Sequence, residues 1–187
     1  MEGPTLWLSQ YRLIAIPLLA MLWPILTIFG LHGAVWQPLY LSAFTVFGFD
    51  PLCWVSYLAT HMTIGAVSIL SAVLTKDPER REIGLSTGLT MLLGNISEPA
   101  IFGVLLANRR LFAAQICAAG VTGLYAALAG ITNYVLWSPC FLLGLAGFIG
   151  PDSSLPAVLL LVVIAWISAA LFIFLFDRQH ISLRKKP

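Results

Sequence analysis

The sequence predicts an all-α integral membrane protein: four long transmembrane helices and a re-entrant hairpin that dips in from the cytoplasmic side. Composition is the first reason. Of 187 residues, 59% are hydrophobic and 10% charged, whereas soluble domains average about 45–50% apolar and about 25% charged. Mean hydropathy is +0.93, and a soluble fold of this size has too little interior to hide that much apolar surface. The second reason is the length of the apolar runs, and the third is where the basic residues fall between them.

A hydrocarbon core about 30 Å thick takes roughly 20 apolar residues as helix. Four windows qualify: 13–31, 53–74, 111–131 and 155–176. The first carries Pro17 and Pro24 and has no Ala-x-Ala exit, unlike a cleaved leader. This divides the chain into a cytoplasmic N-terminal segment (1–12), a membrane-embedded domain (13–176) and a basic cytoplasmic tail (177–187).

Lys and Arg occur as Arg12, then Lys76, Arg80 and Arg81, then Arg109 and Arg110, then Arg178, Arg184, Lys185 and Lys186. The connections 31–52 and 132–154 have none. The positive-inside rule therefore places both termini in the cytoplasm, with the spans as two antiparallel pairs. Trp7, Trp36, Trp54 and Trp137 fall near span ends, where indole rings favour the headgroup level, while Trp23 and Trp166 fall inside spans and call for packing partners. The outer connections are apolar enough for short half-inserted helices, broken by Pro38, Pro51, Pro139, Pro151 and Pro156. The charged stretch 76–82 reads as a solvated turn.

Segment 83–108 is as apolar as a span, yet basic residues flank both ends. Crossing would carry one cluster outside, so the segment is expected to enter and return on the cytoplasmic face. As helices, 83–96 would be about 21 Å long and 99–108 about 15 Å, enough to reach the midplane and not to cross. Non-helical backbone at that depth is tolerated where it is buried in protein or lines a wet cavity. The tip, Ser97-Glu98-Pro99, is thus expected where a transporter keeps its substrate.

Glu98 is the one carboxylate this reading puts inside the membrane, and such a group marks a functional site by default. Pro99 suits the first position of a helix, leaving Glu98 at its N-terminal end, where the dipole favours negative charge. The competing reading makes Glu98 a simple cap or ion-pair partner. His32, in Gly30-Leu31-His32-Gly33, and His61, in mid-span, read first as packing residues; His180 is expected in the solvated tail. Cys53, Cys117 and Cys140 are far apart and form no metal-ligand spacing. No phosphate loop, nucleophile elbow or zinc-protease motif occurs, so the sequence implies no cofactor and no metal. The few basic residues are explained by topology, which excludes nucleic acid as a partner.

GNISEPAIFGV (Gly94 to Val104) closely resembles the G-I-T-E-P-A-I-Y/F-G-V signature of the membrane (EIIC) domain of phosphotransferase-system (PTS) sugar permeases. The branch is the glucose superfamily, with its β-glucoside, sucrose and trehalose transporters. WPILTIFGLHGAVWQPL (Trp23 to Leu39) resembles that family's tryptophan-then-GLH stretch, and the likeness runs through about residues 14–176. It implies the transport-domain half of EIIC in a bacterial inner membrane, binding a glucoside or disaccharide for phosphorylation by the phosphocysteine of an EIIB domain. By position, Glu98 would hold sugar hydroxyls and help activate the attacking one, with His32, Ser97 and Asn95 as further substrate contacts. The implied partners are the sugar, EIIB, an EIIC N-terminal half and, in the complete permease, a second copy.

Three positions depart from the signature. Asn95 stands where the family usually has glycine, Leu105 where asparagine commonly follows G-V, and Ala107 where proline often follows. None of the cysteines has the EIIB context. These departures support an alternative: a non-catalytic remnant, or a regulatory membrane protein associated with an intact permease.

Overall fold

A computed structural model describes residues 2–136 and 142–177. Trp137, Pro139, Cys140 and the tail residues Arg178, His180, Arg184, Lys185 and Lys186 lie outside the described residues. The described part is helical, with two isolated β-bridges, Asp50 to Asn133 and Gly150 to Ser153.

Among the described residues, three helices are long and apolar enough to cross a membrane: α4 (Cys53–Leu74), α7 (Arg109–Leu128) and α8 (Leu155–Phe176), as numbered along the chain. Before them come α1 (Glu2–Gln10), α2 (Arg12–Ile28) and α3 (His32–Phe47). Between α4 and α7 lie α5 (Pro78–Gly94) and a three-residue turn, α6 (Glu98–Ala100), which continues as a π-helical turn over Ile101–Leu105. A 3-10 turn (Leu142–Phe148) precedes α8.

Polar contacts fix the directions of the long helices. Gln115 of α7 donates to Thr60 and Thr63 of α4 (3.1 and 3.2 Å), and Asp50, just before α4, pairs its backbone with Asn133, just after α7. These two helices are therefore antiparallel. Tyr125 donates to the Ala157 carbonyl near the start of α8, while Asn108 and Arg110 at the start of α7 meet Asp177 at the end of α8 (2.8 and 3.8 Å). One end of the bundle thus collects Arg80, Arg109, Arg110 and Asp177, and the other Asp50, Asn133 and Ser154.

The first expected span, 13–31, is not one unbroken helix. Gly30 takes φ +69°, a left-handed conformation that glycine adopts at little cost, and breaks the helix there. Helix α2 runs antiparallel to α7, with Pro17 against Gly123 and Met21 against Gly120. It ends beyond Trp23, which is fully buried and donates to Ser56 at 2.8 Å. The chain turns, and α3 returns so that the Trp36 carbonyl meets Cys53 Sγ and Phe49 lies beside Tyr134.

Arg12 is consequently at the end opposite Arg109, and the expectation that all four basic groups share one side is corrected. Its guanidinium donates to the Ile131 carbonyl (3.4 Å), just past the end of α7. Free carbonyls and the negative end of the dipole attract a cation there. Residues 2–10 form a helix tied to α3 by Thr5 donating to Ser42 at 2.8 Å. The stretch 76–82 is also more ordered than a solvated turn: Asp77 caps α5 by accepting from Glu79 and Arg80, with Pro78 in the first turn.

Helix α5 lies along α4 with almost no side-chain spacer. A Cβ at Gly84 would come within 2.9 Å of the Ser68 carbonyl, one at Gly88 within 3.3 Å of the Gly65 carbonyl, and one at Gly65 within 2.6 Å of Leu92. Small residues permit such backbone approach. This seam carries α5 back up α4 to the level of His61.

Two expectations follow. Gly84→Ala should lower thermal stability by about 1–3 kcal/mol, whereas Gly33→Ala, with nothing within 4 Å, should not; equal effects would contradict the seam. Asp50 is fully buried and accepts from the backbone N–H groups of Leu52, Cys53 and Trp54. Burial nevertheless raises its pKa from 3.8 to about 6. The folded state then holds that proton more tightly than the unfolded chain, so this contribution is full below about pH 4 and is lost as pH rises through about 6. Thermal melts of the detergent-solubilised protein should show that slope, and Asp50→Asn should flatten it.

Candidate functional site

Two turns lie near His61, partway along α4. The tip that follows α5 is reached first. Asn95 caps the helix in a left-handed conformation (φ 59°), its N–H donating to the Met91 carbonyl at 3.1 Å, and its side-chain Oδ1 lies 2.9 Å from His61 Nδ1. Two residues on, Ser97 is buried and its hydroxyl reaches Glu98 Oε2 at 3.5 Å. Glu98 begins α6 with Pro99 behind it, as the sequence predicts.

The second turn, at Gly30, brings in His32. Its ring is half-buried and within electrostatic range of His61, and its Nδ1 is buried with no hydrogen-bond partner. His32 therefore lies inside the bundle beside α4 rather than at an outer end. His61 is 2% exposed, with its ring centroid 3.7 Å from that of Tyr57. Tyr57 in turn touches Trp23, Trp36 and Trp54, giving the site an aromatic wall.

Among the predicted residues, the structure places Asn95, Ser97 and Glu98 on one tip and His32 on the facing turn. Glu98 itself is exposed on the surface of this chain, and the fully enclosed carboxylate is Asp50. The exposed Glu98 carboxylate can accept hydrogen bonds from a neutral polyhydroxyl ligand, with the Ser97 hydroxyl next to it. His61 joins the two turns and was not singled out by its own sequence context. The one available signal was Asn95, an amide at a position where the signature has glycine.

Two cavities lie nearby. A groove of about 500 Å³ runs along α3, lined by Gly33, Gln37, Ser42 and Thr45 among others. A smaller one of about 90 Å³ sits at the basic end between Ser71, Arg80, Gly103 and Asn108. Neither is lined by Glu98; the groove begins one residue from His32.

Helices of membrane length hold a polar tip, with its Ser-Glu-Pro turn, near the middle of the most buried one. Several curated proteins are similar to this chain. The chain is 26% identical to the arbutin-, cellobiose- and salicin-specific PTS EIIBC component of Escherichia coli, over 67% of this chain and 26% of that protein. It is 34% identical to the β-glucoside-specific PTS EIIBCA component of Dickeya chrysanthemi, over 73% and 23%. It is also 34% identical to the sucrose-specific PTS EIIBC component of Vibrio alginolyticus, over 50% and 19%. The chain belongs to the PTS permease components of the glucose superfamily. It spans about a quarter or less of the length of these relatives. No family model and no solved structure matches it.

Proposed function

We propose that this chain is the sugar-translocating part of a phosphoenolpyruvate-dependent phosphotransferase permease, in the bacterial inner membrane. The observation that supports this best is the convergence of the Glu98 tip and the His32 turn beside His61. In this reading α4, α7 and α8 cross the bilayer and the basic end faces the cytoplasm. Helices α5 and α6 form a re-entrant hairpin from the cytoplasmic face, and α2 with α3 enters from the opposite face to the same depth. The fourth span is replaced by that second hairpin, and the N-terminal segment lies outside.

A glucoside or disaccharide binds between the two tips. Glu98 accepts hydrogen bonds from sugar hydroxyls, and His32, Ser97 and Asn95 provide donors and acceptors around it. An EIIB domain or protein then phosphorylates the sugar at the cytoplasmic side, with Glu98 placed to take the proton of the attacking hydroxyl. The tip's exposure on this chain fits a site completed by further EIIC structure, in a permease that forms dimers.

Uptake of a radiolabelled β-glucoside, with the PTS partner proteins supplied, tests this. Glu98→Gln and His32→Ala should each cut phosphoenolpyruvate-dependent uptake by about 10–100-fold, the worth of a hydrogen bond to a charged or buried group. Unchanged uptake in both would sink the site. No uptake by the unaltered protein would favour the regulatory or non-catalytic reading instead.

A further inference from the structure

We propose that His61 is a positioning residue, which acts through Asn95 to hold the Ser97-Glu98 tip in the sugar cleft. The functional half of this inference rests on the reading above; the structural half does not.

The tip has one side-chain hydrogen bond to the rest of the described chain. Leu93, Gly94, Ile96, Glu98 and Pro99 are exposed, and α6 is three residues long. Among the described residues, the side-chain hydrogen bonds of 94–99 are Ser97 to Glu98, inside the tip, and Asn95 to His61, which leaves it. The anchor is firm by contrast. His61 is enclosed on α4 against Tyr57, and its neighbours Thr60 and Thr63 are gripped by Gln115, itself fully buried.

Asn95 is also the one non-glycine residue with positive φ among the described residues. Glycine adopts that backbone at less cost, and it would lack the side chain that reaches His61. The Asn95 side-chain carbonyl oxygen accepts from His61 Nδ1–H, so the ring is held as the Nδ1-protonated tautomer and Asn95 is held at the depth of His61. Glu98, three residues along the same turn, inherits that position.

Hydrogen exchange over the tip peptide, on the full chain in nanodiscs, reads the latch without any sugar. Asn95→Gly and His61→Phe should each speed exchange of residues 96–101 about 3–10-fold. The double variant should be no faster than either single one, because both remove the same bond. His61→Asn, which keeps a donor near the Nδ1 position, should retain most of the protection. Unchanged exchange in Asn95→Gly, or additive effects in the double variant, would overturn the latch. Glycine takes this backbone without strain, so Asn95→Gly decides even where His61→Phe misfolds. Methyl β-glucoside is then added as a probe. It should slow tip exchange in the unaltered protein, and its apparent affinity should fall at least threefold in Asn95→Gly and in His61→Phe and recover in His61→Asn. A latch seen with no loss of affinity would overturn the positioning role. No effect of the probe on the unaltered protein would sink the sugar reading and leave the structural latch standing.

Discussion

The rest of the structure depends on how closely α5 can lie against α4. Gly65, Gly84 and Gly88 remove the side chains that would hold the two helices apart, and at Gly84 and Gly88 a backbone oxygen, which cannot swing aside, lies 2.9 and 3.3 Å from where a Cβ would sit. With 17 residues and about 1.5 Å of rise each, α5 then ends at Gly94, beside His61. Moving the seam by one turn would carry Asn95 about 5.4 Å along α4 and out of reach of the imidazole. The depth of the Glu98 tip is therefore a property of three glycines, none of which touches it.

Much of this was legible in the sequence. The runs that became α4 and α8 were read with the right bounds, because long apolar helices announce themselves by length alone. Basic clusters on both sides of 83–108 implied a segment that turns back, and the chain does turn at Asn95–Ser97. What escaped was set by single contacts. Arg12 was counted as a topology marker, although its place is decided by one carbonyl at the end of α7. The break at Gly30 sat within an apolar run that is long enough to cross, and periodicity says nothing about such a break. His61 looked like any histidine on a packed helix until Asn95 was found opposite it. Asp50 did carry a legible signal: Asp-Pro just ahead of a helix is a capping pattern, and its carboxylate accepts from the N–H groups of Leu52, Cys53 and Trp54.

In the proposed reading the bundle serves as a post for two hairpins, each reaching about half the membrane thickness and presenting its turn at the same depth from opposite faces. Substrate sites of transporters form where broken helices place their ends near the midplane. Here the broken ends carry polar groups: His32 Nδ1, buried without a hydrogen-bond partner, on one side, and the exposed Glu98 carboxylate on the other. The aromatic wall from Trp36 to Tyr57 supplies the apolar face that a sugar ring also needs. The departure at Asn95 then becomes a substitution of one support for another, a bond to α4 in place of a freely turning glycine.

The most direct test puts a thiol on the tip itself. Ile96 is exposed beside Glu98, and Ile96→Cys in a background with Cys53, Cys117 and Cys140 replaced by Ala can be labelled with a membrane-impermeant maleimide. In inside-out vesicles carrying the permease partners, a saturating β-glucoside should slow labelling at least tenfold, while a sugar the cell does not take up should leave it unchanged. Labelling that proceeds at one rate with and without the β-glucoside, in protein shown to transport it, would contradict a sugar held at the Glu98 tip.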